Sequence, residues 1–271
     1  MRRVIADLVN TPLAMRRDEA EILLRQAVQE ENPPARMMVE QSENSSRPYA
    51  LFEGVAIIPV QGTLVHGQSF WWAGETSYSK IADQMLHAMT DPEVRGVAMW
   101  VNSPGGFVSG CFDLADCIYD LRGEKPIWAF VDESAFSAAY ALASSASRIM
   151  VPRTGGVGSV GVVAMHMDIS KMLENMGVTV TTFQFGARKT DSYPTTPMTK
   201  EARTKMQEDI DILGEMFVDL VARNRGISKK AVRDTQAGCF LADEGIKLGL
   251  ADAVMPIDEA FMEFVDTVKE K

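Results

Sequence analysis

The chain has 271 residues, of which 46% are hydrophobic and 24% charged, with a formal net charge of −10. That length holds one large domain or two small ones around a real core, and the composition is that of an ordinary soluble globular protein. The acidic balance excludes an electrostatic nucleic-acid binder, because no run of Lys or Arg is present to neutralise phosphates.

The three cysteines, Cys111, Cys117 and Cys239, are odd in number and lack metal-type spacing. They read as reduced, buried thiols of a reducing compartment. No stretch of about 18 apolar residues occurs, and no apolar run follows Arg2 and Arg3. The expectation is a cytoplasmic protein with no membrane anchor and no recognisable export signal.

In chain order, residues 18–30 place apolar side chains at helical spacing after an acidic start and predict an amphipathic helix. Residues 31–48 are polar and Pro-rich and predict a linker. Residues 1–48 thus form an N-terminal helical segment and linker, 49–256 the main domain, and 257–271 a C-terminal tail. Within the main domain the pattern predicts strand 55–65 with a break at Gly62, helix 78–94, buried strand 95–103, helix 109–123 and strand 126–132. A small-residue helix over 137–147 follows, then strands 148–152 and 160–168, helix 169–177, strand 178–185, a loop to about 198, and a long helix over 199–225. Repeated strand–helix–strand order indicates an α/β fold.

Four segments carry residues suited to chemistry. At Asn102–Gly106, "NSPGG", a hydrophobic strand ends, Pro104 presets a turn, and two glycines allow close backbone approach. Amides there could face a developing oxyanion, or the motif is a plain strand-to-helix turn. In 132–147 a serine at the first turn of an Ala- and Ser-rich helix sits among free N–H groups and the positive dipole end. Ser137 or Ser134 is then either a nucleophile or an ordinary helix cap. The Gly-rich 154–163 lacks the GxSxG elbow, the dinucleotide fingerprint and a P-loop lysine, and reads as a tight turn presenting Ser159. The polar loop 185–199 contains Lys189, by itself an ordinary surface lysine.

A serine nucleophile needs a base. Of the histidines, His87 lies within a predicted helix, His166 ends an apolar strand, and only His66 follows a strand in a suitable place. No paired carboxylates, HExxH or Asp cluster indicates glycosidase or metal chemistry, and no cofactor is implied. If Ser137 is the nucleophile, its base is expected to be a lysine.

Together these residues resemble the protease IV, or signal-peptide-peptidase-A, family of the Clp protease/crotonase superfamily, from about Val55 to Val254. The elements stand in family order: "NSPGG", "FSAAY" in place of "ASGGY", "GSVGVV", a Lys–x–Asp loop and "ADEGIKLGLAD". Ser159 and Lys189 follow Ser137 by 22 and 52 residues. The resemblance implies a crotonase/Clp-protease-like repeated ββα core with flanking helices and a Ser137–Lys189 dyad. Ser159 would orient the lysine, and the amides of Gly105, Gly106 and Ala138 would form the oxyanion hole. A lysine base must be neutral, whereas an ordinary lysine titrates near ~10.4. Lys189 is therefore expected in an apolar pocket, and a solvated amine remote from Ser137 would count against the dyad. Ala138, Ala139 and Phe136 depart from the family pattern and narrow the space beside the nucleophile.

Residues 10–15, the linker and "ARNRGISKKAVRD" resemble the tailed-phage and prophage members, which act as head-maturation proteases on scaffolding and portal proteins within the procapsid. The chain closes soon after Val254, so no fused scaffold is expected. Relatives form rings or bowls, which implies a homo-oligomer, with the long helix as a candidate contact. The competing readings are a bacterial signal-peptide-peptidase-like protease that degrades peptides, a crotonase-like acyl-CoA enzyme, and a catalytically idle assembly protein.

Overall fold

The computed structural model describes residues 13–15, 47–67 and 74–270. The helix expected over 18–30 and nearly all of the linker lie outside these residues. Strands β1 (Leu13–Met15), β2 (Ala50–Phe52), β3 (Val55–Val65) and β4 (Glu75–Ser77) come first. Helix α1 (Tyr78–Thr90) begins on Ser77, whose hydroxyl accepts the Lys80 N–H at 3.1 Å, a standard N-cap. Strand β5 (Gly96–Phe107), helix α2 (Cys111–Leu121), strand β6 (Ile127–Phe136) and helix α3 (Ala138–Ser144) follow. After β7 (Arg148–Val151) and β8 (Gly156–Gly158) come α4 (Ser170–Asn175) and the long α5 (Lys200–Arg225). Thr199 caps α5, and Gly226 stops it in the left-handed region. The chain then forms α6 (Lys229–Asp234), β9 (Cys239–Leu241), α7 (Ala242–Lys247), β10 (Ala253–Val254) and α8 (Ile257–Lys269).

The sheet runs β10-β7-β6-β5-β3-β2, with β1 added to β5, β4 to β3, and β8 to both β6 and β9. The central ladders β3–β5, β5–β6 and β6–β7 are parallel. Their continuous apolar runs fit strands covered on both faces. Alternate residues serve two cores, as a period of two requires. Val97, Met99 and Val101 of β5, with Ile127, Ala129 and Val131 of β6, face the core beneath α1, α2 and α3. Ala98, Trp128 and Phe130 face the second core, closed by Ala260, Phe264, Val265 and Val268 of α8. Residues 257–269, set apart as a tail in the sequence, are thus a packed helix.

Three other expectations change. "NSPGG" lies within β5, as an irregular continuation of the strand with register shifts against both neighbours. The stretches 160–168 and 178–185 form no strands, and the side chains of 178–185 are exposed. Of the cysteines, Cys111 is buried, Cys117 half-buried and Cys239 exposed. Among the described residues no helix is long and apolar enough to cross a membrane.

The second core rests on one helix, and Phe264 stacks on Trp128 with ring centroids 4.9 Å apart. Phe264→Ala is expected to cost about 3–5 kcal/mol in urea denaturation, with half-exposed Met262→Ala near zero. Equal, small effects would show that α8 is dispensable.

Candidate active site

The site forms where β5 and β6 separate. Their ladder runs from Val97–Ile127 to Ser103–Ala135, after which β6 turns into α3 through Ser137. The φ and ψ of Ser137 are 53° and −120°, a sparsely populated conformation for a residue with a Cβ. Such a strained strand-to-helix turn presents a nucleophilic serine in other hydrolases, although the glycines of that motif are absent here. The Ser137 N–H donates to the Gly158 carbonyl at 2.8 Å, and its carbonyl accepts the Ala141 N–H at 2.9 Å. Its hydroxyl caps nothing in α3 and lies 3.5 Å from the Gly161 carbonyl oxygen. The cap reading of Ser137 is thereby removed.

Ser159 lies beside it. β8 pairs with β6 in parallel up to Gly158–Phe136, so Ser159 and Ser137 are the residues that follow the last paired position of the two strands. Ser159 also has a positive φ, 55°, and its N–H donates to the Gly238 carbonyl at 2.7 Å. Both serines are buried.

The end of β5 supplies the opposite wall. Gly105 has φ 113°, accessible only to glycine, and a Cβ on Gly106 would run into the Leu64 carbonyl of β3. Ser103, a residue the sequence reading passed over although it stands inside the quoted motif, holds this bend. Its hydroxyl donates to the Gly62 carbonyl at 2.6 Å and accepts the Gly105 N–H at 3.1 Å. Of the three amides assigned to an oxyanion hole, that of Gly105 is therefore engaged. Ala138, as the first residue of α3, has no acceptor within its own helix and remains a candidate donor, whereas Gly106 stands in ladders with both β3 and β1.

Beneath the turn the surroundings are apolar and neutral. Tyr78 donates its hydroxyl to the Phe107 carbonyl at 2.7 Å, and the Cys111 thiol lies 3.6 Å from the Ala138 carbonyl oxygen. Burial pushes the Cys111 thiol up to about 12 and raises the Tyr78 phenol well above its ordinary value. In so poorly solvated a place, negative charge developing on a bound carbonyl has to be met by backbone N–H groups.

Lys189 is not part of this cluster. It stands exposed in a turn, its N–H donating to the Gly186 carbonyl at 3.2 Å. Among the described residues no apolar pocket encloses it. The arm that carries it, residues 162–199, also exposes Met176, Phe183 and Phe185, the last two almost fully. His66 and His87 are exposed, and His166 lies on the irregular stretch after β8.

A parallel sheet whose central strand ends in a bent Gly–Gly stretch beside a buried, strained helix-start serine defines a crotonase-like fold with a nucleophile-type turn. An enoyl-CoA hydratase from Shewanella pealeana shares that fold, with a TM-score of 0.50 at 11% identity over 82% of this chain and 73% of its own. Residues 120–270 match peptidase family S49, and the chain belongs to that family. The head-tail preconnector protein GP5 of Enterobacteria phage P21 is 41% identical, over 79% of this chain and 43% of that protein. The capsid assembly protease C of Escherichia phage lambda is 35% identical, over 82% of this chain and 51% of that protein. The chain thus spans about half the length of these curated relatives.

The strain at Ser137 is measurable apart from activity. Ser137→Gly is expected to be more stable than Ser137→Ala by about 1 kcal/mol, because release of a strained φ, of order 1–3 kcal/mol, outweighs glycine's greater freedom when unfolded. Matching urea midpoints for the two variants would mean that the turn is unstrained.

Proposed function

We propose that the chain is a serine endopeptidase of phage or prophage head maturation, cleaving scaffolding or portal proteins in the host cytoplasm or the procapsid. The observation that carries this reading is the strained conformation of the buried Ser137 at the β6–α3 turn. The relatives' names, a capsid assembly protease and a head-tail preconnector protein, support the setting.

In this reading the Ser137 hydroxyl attacks the scissile carbonyl and its proton passes to the Lys189 amine. The Gly106 and Ala138 amides hold the oxyanion. The protonated lysine then gives its proton to the leaving amine, and water releases the acyl group by the same route in reverse. Ser159, next to Ser137, orients the lysine. Ser137→Ala and Lys189→Ala are each expected to lower cleavage of a scaffold or portal substrate by about a thousandfold or more with unchanged circular dichroism. A serine-directed acylating probe should label Ser137. Turnover of CoA esters without labelling would establish the acyl-CoA alternative, and head maturation that survives both substitutions would establish the idle one.

Because Lys189 is exposed and distant elements do not bury its arm, the dyad of this proposal forms only on association of copies. Phe183 and Phe185 become buried in the homo-oligomer, and Lys189 is desolvated with them. Phe183→Ser with Phe185→Ser should shift sedimentation toward the monomer and abolish cleavage together. Full activity in a protein that sediments as a monomer would refute assembly-dependent closure.

A further inference from the structure

Strand β5 has two edges, and both are accounted for along most of its length. β3 occupies one edge from Gly96 through Gly106. β6 occupies the other only as far as Ser103, where it leaves to form the Ser137 turn. Beyond that point the second edge is taken by β1, which pairs antiparallel through Leu13–Phe107, Ala14–Gly106 and Met15–Gly105. Since β3 already holds the opposite side of Gly105 and Gly106, β1 lies in the slot that β6 vacates. It runs along Gly105–Phe107, on the edge that β6 leaves before the Ser137 turn. Ser137 itself has no exposed surface, although a nucleophile must be reached by its substrate.

An extended polypeptide added to a sheet edge gains main-chain hydrogen bonds without regard to its sequence. Resting on the reading of Ser137 as nucleophile, we propose that Leu13–Met15 is a built-in competitor for the polypeptide-binding edge of β5. A substrate docks as an antiparallel strand on Gly105–Phe107 and has to displace this segment to present its carbonyl to Ser137. The occupied fraction sets the cost: a segment seated nine-tenths of the time weakens apparent substrate binding about tenfold. The contact is a backbone ladder of only three residues, short enough to exchange through local opening without unfolding the domain.

In an antiparallel pair successive residues point their N–H groups to opposite sides, so one of Leu13 and Ala14 donates to β5 and the other does not. Full-chain Leu13→Pro and Ala14→Pro therefore serve as test and control, because proline removes one donor at a time. Amide hydrogen exchange at Gly105–Phe107 is the readout that needs no catalysis. Faster exchange in one proline variant, restored by a synthetic peptide of residues 10–16, is the expected result. The same variant should label at Ser137 about tenfold faster with the acylating probe, and the peptide should suppress this. Freed and peptide-protected amides without any labelling would uphold the competitor and refute Ser137 as nucleophile. Exchange unchanged in both variants would overturn the proposal. So would Ser137-dependent cleavage within Leu13–Met15 on purification, since a segment consumed in one turnover is not a standing competitor.

Discussion

Strand β6 cannot follow β5 to its end and also deliver a serine to the start of a buried helix. The ladder between them stops at Ser103–Ala135, and the reversal into α3 takes place at a single residue. That requires a positive φ at Ser137, and it leaves two backbone problems. The first is the donor of Ser137, which would otherwise be buried without a partner; β8 solves it by offering the Gly158 carbonyl at 2.8 Å. The second is the far edge of β5 at Gly105–Phe107, to which β1 adds. The nucleophile-type turn, the closeness of Ser159 and the strand-accepting edge are thus three results of one separation of strands.

The cost of that turn falls on the packing of α3. All seven of its residues are buried, and its small side chains let it sit directly on the sheet. Its far end is held by side-chain hydrogen bonds. Asn224 of α5 donates to the hydroxyls of Ser144 and Ser145 at 3.0 and 2.9 Å, and Tyr140 donates to the Leu250 carbonyl at 2.9 Å. The segment that contains Leu250 is in turn fastened by Arg225, which pairs with Asp252, while Asp252 accepts the Ile149 N–H of β7 at 2.7 Å. Each such bond contributes about 1 kcal/mol net, and more where a charge takes part. A few of them are comparable with the roughly 1–3 kcal/mol that a strained φ costs. The long helix α5 therefore matters to the site although it contributes no residue to it.

These facts also explain what could be read in the sequence. Strands β3, β5 and β6 were legible because burial on both faces leaves uninterrupted apolar runs. Helix α3 was legible because an Ala- and Ser-rich stretch after a strand has few other uses. The strain at Ser137 was not, since Ala135 and Ala139 occupy the places of the two glycines that usually announce such an elbow. "NSPGG" read as a turn from its Pro and Gly content, whereas Ser103 satisfies the bent backbone and keeps it in the strand. Residues 178–185 place Val178 and Val180 on one parity and Phe183 and Phe185 on the other, so a strand would show apolar side chains on both faces, and here they are exposed. The apolar residues of 257–269 recur at helical spacing, and that period marks the helix that closes the second core.

The two halves of the proposed dyad differ in physical character. Ser137 is fixed by the core and by backbone hydrogen bonds, so its geometry exists in every folded copy. Lys189 stands on an exposed arm whose Phe183 and Phe185 are almost fully exposed. A lysine in water keeps its charge and cannot accept a proton near neutral pH. Its use as a base requires burial, and in the proposed function other copies supply it, which makes it a property of the assembly, dependent on protein concentration. An edge already filled by β1 acts in the same direction, since substrate must compete for its place. In the proposed function both restraints oppose cleavage by dispersed copies and yield where copies and an extended substrate are crowded together.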